Sequence, residues 1–352
     1  MAKIKLLSND KIEEWDRFVF DNALGTIYHT SQWRQLINNA YGHTPIYLVV
    51  EDNNGSIRAG LPLFKIESKF TQYKFSSLPC AQSCNPLLSD ISEFSLFEDF
   101  IWTYLADKKN IFLELKTDEK FPVLDPASAN ITSDYSTYLL NLCRPLDTIL
   151  RSFHQSCIQR AIKKAYKSDL KIRYAETLRD VKQFYYLYLK MRINYGLLPQ
   201  PFRFFSQMWK IMSKRDYIEI LFAEYHGRPV SSILLLKYKD TVTYEYGATE
   251  PDRFYLKPSQ LLLWEAIKKA KNRNFKTFDF GRTSNSNSGL IEFKMRWGTS
   301  PRKFIYYYIP KASGVSLLRR KSIVNKAMYY SIKSAPRLVC QLAGRIFYRY
   351  LV

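Results

Sequence analysis

The sequence predicts an α+β fold built twice in tandem. Two polar-turned β-hairpins lie about 170 residues apart, a pair of amphipathic helical segments precedes each, and a helix and a strand follow each. In the first copy, residues 11–20 and 31–39 carry apolar side chains at helical spacing. Residues 47–51 and 57–66 then read as strands around Asp52-Asn-Asn-Gly55, because Asn and Gly tolerate the positive φ of a tight turn. A helix over 94–105 and a strand over 111–115 complete that copy.

The second copy repeats the order. Helices are expected over 178–194 and 203–214, a hairpin over 218–224 and 230–237 around His226-Gly227-Arg228-Pro229, and a third strand over 241–247. A helix over 259–271 and a strand over 277–280 follow. The expected organisation is a domain over 1–145, a domain over 146–312, each a mixed, mostly antiparallel sheet flanked by helices, and a basic helical extension over 313–352. Residues 145–171 join the halves and read as one basic amphipathic helix, with Arg160, Lys163, Lys164 and Lys167 opposite Phe153, Ile158, Ala161 and Ile162. That helix fits a solvated connector packing one face on the second domain better than it fits a phosphate contact.

With 352 residues, 46% of them apolar and 16% aromatic, the chain is long enough to bury two cores and is not disordered. The formal charge of +21 calls for an anionic partner: nucleic acid, an acidic membrane surface or a pyrophosphorylated substrate. Five scattered cysteines, Cys80, Cys84, Cys143, Cys157 and Cys340, fit free thiols in a reducing compartment, and no metal set is expected. The N-terminal residues lack the apolar core of a secretory signal, and no window approaches a membrane span, so a cytoplasmic protein with peripheral membrane contact is expected. That contact falls to 313–352, where eight Lys and Arg residues stand among apolar ones without an acidic residue and Pro336 should separate two helices; the alternative for this segment is helices packed back onto the protein body.

Cationic groups and glycines gather over 275–308: Asp279, then Gly281-Arg282, a Ser/Asn loop, Gly289-Leu290, Phe293-Lys294, Arg296-Trp297-Gly298 and an aromatic strand. Guanidinium and backbone donors held away from bulk water suit an anion or acyl-transfer site. Alternation along the preceding strand places Thr241, Thr243, Glu245 and Gly247 on one face and the aromatics on the other, so Glu245 projects into a cleft. Glu245 and Asp279 are candidate bases, since burial raises a carboxylate's pKa; each equally fits an ion-paired structural acid, Asp279 with Arg282.

The pattern F-D-F-G-R followed by N-S-G-L-x-x-F-K-x-R-W-G resembles the FemAB peptidyltransferases and their shorter CelD-like relatives in the GNAT acyltransferase superfamily. The likeness extends to Leu256-Lys257-Pro258-Ser259-Gln260, His29-Thr30-Ser31-Gln32-Trp33 and Ser77-Leu78-Pro79, and so covers most of residues 20–310. It implies two tandem GNAT-like domains. It also implies that Lys294 stabilises the oxyanion of acyl transfer, with Glu245 and Asp279 beside it. Arg282, Arg296 and Trp297 would bind substrate, with His29, Trp33 and Asn85 from the first half; Lys257, Ser259 and Gln260 would meet the donor. Ordinary acetyltransferases cradle coenzyme A in a glycine-rich loop at a helix N-terminus, and here that loop holds no glycine.

The implied function is N-acyl or aminoacyl transfer to a lipid-linked or nucleotide-linked cell-envelope precursor at the cytoplasmic membrane face. Acyl-CoA or aminoacyl-tRNA would be the donor substrate, with no tightly bound cofactor. Three alternatives stay open: an acetyl-CoA-dependent N-acetyltransferase of polysaccharide biosynthesis, an inactive envelope scaffold, and an RNA-binding protein using its many tyrosines and phenylalanines for stacking.

Overall fold

The computed structural model describes residues 4–66, 73–106, 111–118, 129–309 and 330–351. In chain order the first elements are β1 (Ile4–Leu6), α1 (Ile12–Asp21), α2 (Ser31–Tyr41), β2 (Thr44–Glu51), β3 (Ile57–Ile66), β4 (Tyr73–Ser76), α3 (Phe94–Ala106), β5 (Ile111–Thr117) and β6 (Asn130–Thr132). Next come β7 (Tyr135–Asn141), α4 (Leu146–Ser152), α5 (Arg160–Tyr166), β8 (Leu170–Tyr174), α6 (Leu178–Asn194), α7 (Phe202–Met212), β9 (Ile218–Tyr225), β10 (Arg228–Tyr238) and β11 (Thr241–Thr249). The last are α8 (Pro258–Asn272), β12 (Thr277–Asp279), β13 (Thr283–Ser284), α9 (Ser288–Met295), β14 (Ser300–Lys303), β15 (Ile305–Ile309) and α10 (Arg337–Leu351). Both hairpins and the helices and strands flanking them stand where periodicity places them.

The described residues form two compact units, one drawn from 4–135, 303–309 and 349–351, the other from 136–302 and 330–348. The first holds a sheet in the order β1-β2-β3-β4-β5-β15-β6, antiparallel except at β4 and β5. Strand alternation feeds two layers. Leu48, Val50, Leu61 and Leu63 pack with Phe94, Phe97 and Ile101 of α3. On the α1 side, the Trp15 ring meets Tyr47 at 5.3 Å between centroids and lies directly over Gly60.

The second unit holds a sheet in the order β13-β7-β12-β11-β10-β9-β8, with β14 on β7, and β11 and β12 run parallel. On one face, Leu262, Leu263 and Ile267 of α8 join Leu235, Val242, Phe278 and Trp297 in a continuous core. On the other, Phe184 and Tyr188 of α6 and Phe205 of α7 form an aromatic layer over Tyr246 of β11. β15, which follows Trp297 closely in sequence, completes the first sheet, while β7 completes the second.

The single helix expected over 145–171 is broken. α4 ends at Ser152, Phe153 is extended, Gln155–Gln159 form a π turn, and α5 stops at Tyr166 before β8. Tertiary contacts win over local propensity here. The Phe153 ring turns in against Trp264 and Trp297, and His154 N–H leaves the helix to bond Arg296 O at 2.8 Å. At the C-terminus residues 330–334 are helical and the chain breaks at Ala335-Pro336 before α10, as a proline without an N–H requires. Residues 313–329 of the expected basic extension lie outside the described residues.

A Cβ at Gly60 would sit 2.3 Å from the Trp15 ring, whereas one at Gly289 would meet nothing within 4 Å. Gly60→Ala is therefore expected to destabilise the protein by about 1–3 kcal/mol, since a fully buried indole has nowhere to move. Gly289→Ala, on an exposed helical turn, should be neutral or stabilising by up to about 1 kcal/mol. Urea unfolding of both variants checks the contrast.

Candidate active site

β11 and β12 pair only from Thr241 with Thr277 to Thr243 with Asp279. β11 then runs on to Thr249 while β12 ends, and the chain turns at Gly281 with φ 78°. The left-handed conformation favours glycine, and the chain then pairs as β13 on the other side of β7. Asn287 then starts α9 by accepting a hydrogen bond from Leu290 N–H at 3.1 Å through its side chain.

Lys294, in the last turn of α9, is carried back under the glycine turn. Its side chain is 3% exposed, and Nζ donates to Gly281 O at 2.6 Å and toward Arg282 O at 3.5 Å. The Tyr138 ring of β7 lies 5.8 Å from the ammonium. Burial lowers the Lys294 pKa to about 8, and the Asp279 and Glu245 carboxylates pull it upward in part. At neutral pH most Lys294 side chains keep their proton in surroundings where water cannot screen it.

Asp279 is pushed upward by burial, opposed by its hydrogen bonds and by the Lys294 and Arg302 charges. One oxygen accepts from the Thr137 hydroxyl and from Gly281 N–H at 2.7 Å. The carboxylate thus ties β7 to the glycine turn, which suits a positioning role. Arg282 is not its hydrogen-bond partner in these contacts; the Arg282 side chain is exposed.

Glu245 does not follow the expected alternation. Leu234 faces Tyr246 and Leu235 faces Tyr244, so Glu245 is the extra residue of a β-bulge. The bulge sends Tyr244 toward Phe280 and Tyr246 toward Tyr188 and Phe205, which places the two aromatics on opposite faces. Glu245 is half-buried and close enough to Lys294 to act on its charge. Tyr244 Oη lies over Gly247, and burial raises its pKa to about 12, so it stays a hydroxyl.

The residues expected on the donor side stand at the start of α8. Lys257 caps α8 from the left-handed region, φ 60°, and Pro258 is the first helical residue. Ser259 and Gln260 follow in the first turn, where backbone N–H groups have no intrahelical acceptor. They do not cap the helix: Ser259 Oγ bonds Gln260 Oε1 at 3.1 Å, and no side chain caps α8.

Other expected residues are built into packing. Trp297 is fully buried against Phe153 and Phe280, with centroids 5.0 and 5.6 Å away, so it cannot meet substrate without unpacking that core. Arg296 pairs with Glu292 one turn back on α9. In the first unit, His29 is fully buried: Thr26 N–H donates to Nδ1 at 3.0 Å, which leaves Nε2–H to donate to Asn85 O at 2.9 Å. Trp33 is also fully buried, edge-on to Tyr28 at 4.7 Å, and its indole N–H reaches Pro79 O at 3.4 Å. The Asn85 side chain bonds Asp118. His29, Trp33 and Asn85 thus hold the Pro79–Asn85 loop in place, while Lys294, Asp279 and Glu245 cluster in the second unit. Thr137 and Tyr138, which the sequence did not flag, come from a strand that reads as the end of the first half.

Residues 152–295 match the acetyltransferase (GNAT) domain family. Over 334 residues the chain is 20% identical to a UDP-N-acetylmuramoylpentapeptide-lysine N(6)-alanyltransferase of Weissella viridescens, covering 87% of this chain and 95% of that one. Among solved structures it resembles FemX, with a TM-score of 0.71 at 14% identity over 92% of this chain and 100% of that one. It also resembles a tandem GNAT protein from the clavulanic acid biosynthesis pathway, with a TM-score of 0.55 at 10% identity over 88% and 98% of the two chains. The two helix-flanked mixed sheets are those of tandem GNAT structures, and the chain is a distant FemX-like member of the GNAT superfamily.

Proposed function

We propose that the protein transfers an acyl or aminoacyl group to an amine of a nucleotide-linked or lipid-linked cell-envelope precursor, with Lys294 holding the oxyanion. The observation that carries this reading is a desolvated ammonium on a rigid helix, beside two carboxylates, where β11 and β12 part. Attack of an amine on an ester or thioester carbonyl puts negative charge on oxygen, and a preorganised cation stabilises it more than water does. Glu245, half-buried on its bulge, takes the amine proton; the tetrahedral intermediate then collapses to the amide as the bond from the acyl carbon to the donor oxygen or sulfur breaks, and the tRNA hydroxyl or the thiol leaves with that proton. Asp279 holds the glycine turn and keeps the Lys294 proton in place. The α8 N-terminus, with Lys257 beside it, receives donor phosphate. Charged tRNA is favoured over coenzyme A by the absence of glycine before α8 and by the net charge of +21. The acceptor class follows the alanyltransferase relative, which makes UDP-N-acetylmuramoyl pentapeptide the first acceptor to try.

Lys294→Met is expected to lower turnover on the order of a hundredfold to a thousandfold with little change in KM, read as labelled amino acid transferred from a charged tRNA pool. An unchanged rate would remove Lys294 from the chemistry. If the protonated form acts, turnover falls as pH rises through about 8, the pKa of Lys294; a rise through that pH would make Lys294 a base instead.

The same titration predicts a stability signature. The Lys294 pKa lies at about 8 when folded against 10.5 for the ordinary side chain, so between those values the unfolded chain binds more protons. The stability of the native protein relative to Lys294→Met should therefore rise with pH across that window, which denaturant unfolding at pH 7, 8, 9 and 10 would follow. For the donor, calorimetry of the protein with acetyl coenzyme A and with charged and uncharged tRNA is decisive. Charged tRNA should bind and Lys257→Ala should weaken it, whereas saturable coenzyme A binding lost in Gln260→Ala would overturn the tRNA assignment.

A further inference from the structure

α10 has two faces with different fates. Its inner face is used by the fold: Cys340 is buried with Leu198 and Ile332, and Gly344 lies so close to Pro199 that a Cβ would sit 2.3 Å from the carbonyl oxygen. On its outer face, Leu338 is 72% exposed, Leu342 56% and Ile346 53%, with Val339 exposed beside them. Spacings of four residues put Leu338, Leu342 and Ile346 in one continuous line. Arg345, exposed, follows Leu342 by three residues and borders the line, whereas Arg349 turns inward with its Nε buried. Arg345 makes no ion pair among the described residues, and residues 313–352 contain eight Lys and Arg and no Asp or Glu.

We infer that α10 is a bilayer-surface helix: Leu338, Leu342 and Ile346 enter the acyl boundary of an anionic membrane while Arg345 meets the lipid phosphates. The stripe needs an apolar occupant and its border needs anions, and an anionic leaflet presents both in one plane. A second copy of the chain would bring the same arginine to a self-complementary interface, where the two repel. The helix is not a membrane anchor of the spanning kind, because no helix among the described residues is long and apolar enough to cross a bilayer. The inference rests on this helix alone, and is independent of the transfer chemistry proposed above.

The test is sedimentation of the full-length protein with phosphatidylcholine vesicles, with and without one-third phosphatidylglycerol. Binding should require phosphatidylglycerol and weaken with salt. Leu342→Ser with Ile346→Ser should lower partitioning by about tenfold for each side chain. Arg345→Gln, which leaves the stripe intact, should lower it by about fivefold. Both substitutions touch exposed positions, so melting temperatures should match the native protein and exclude misfolding as the cause. No vesicle binding, or binding that the Leu342 and Ile346 substitutions leave unchanged, would overturn the inference. So would a dimer that those substitutions dissociate while vesicle binding persists.

Discussion

The parting of β11 and β12 is the constraint on which the second unit depends. Three residues of parallel pairing hold the two strands together, and the ladder then ends. Backbone groups past that point must find other partners. Gly281 N–H finds Asp279, and Gly281 O finds the Lys294 ammonium. A buried lysine is costly, and burial lowers its pKa by more than two pH units, yet the side chain is fixed by a carbonyl that the end of the strand leaves to be satisfied. Strand geometry thus explains why a cation stands where apolar packing would be more stable.

The electrostatics of this cluster point the same way. Desolvation pushes Lys294 down and Asp279 up, which would neutralise each, while their mutual attraction opposes both shifts. Asp279 is braced by Thr137 and the glycine turn, so it supplies a fixed negative charge without being free to move. Glu245, the extra residue of its bulge, is half-buried and near enough to Lys294 to favour its charged form.

Local periodicity made much of the fold legible. Gly55 and Gly227 both take positive φ in the turns their neighbours predict, and the helices and strands around them fall within a few residues of expectation. What periodicity could not carry is non-local. β7 and β15 are short aromatic strands whose sheet is chosen by partners far away in sequence, so Thr137 and Tyr138 were not visible as neighbours of Lys294. Alternation misplaced the face of Tyr246 because a bulge adds one residue to the count. His29, Trp33 and Trp297 stood out through motif and residue type, but polar and aromatic side chains serve cores as readily as sites, and only burial separates the two.

The duplicated order also bears on why the proposed chemistry is assigned to one copy. β4 and β5 of the first unit occupy the place of β11 and β12, and they too run parallel. There the chain beyond β4 does not part from its neighbour. Ser77 N–H bonds Glu114 O at 2.8 Å, Ser77 Oγ accepts from Lys116 N–H at 2.8 Å, and Cys84 N–H bonds Lys116 O at 2.6 Å. The same stretch holds Glu114 between Lys74 and Lys116, at 3.3 and 3.6 Å. Its buried lysine therefore sits within ion-pair distance of an adjacent acid, whereas Lys294 donates to the Gly281 and Arg282 carbonyls and feels the Asp279 and Glu245 charges without a direct ion pair among the described residues. On the proposed reading, that difference leaves the second copy's ammonium the better placed to meet developing charge, while the first copy holds loops such as Pro79–Asn85 in shape.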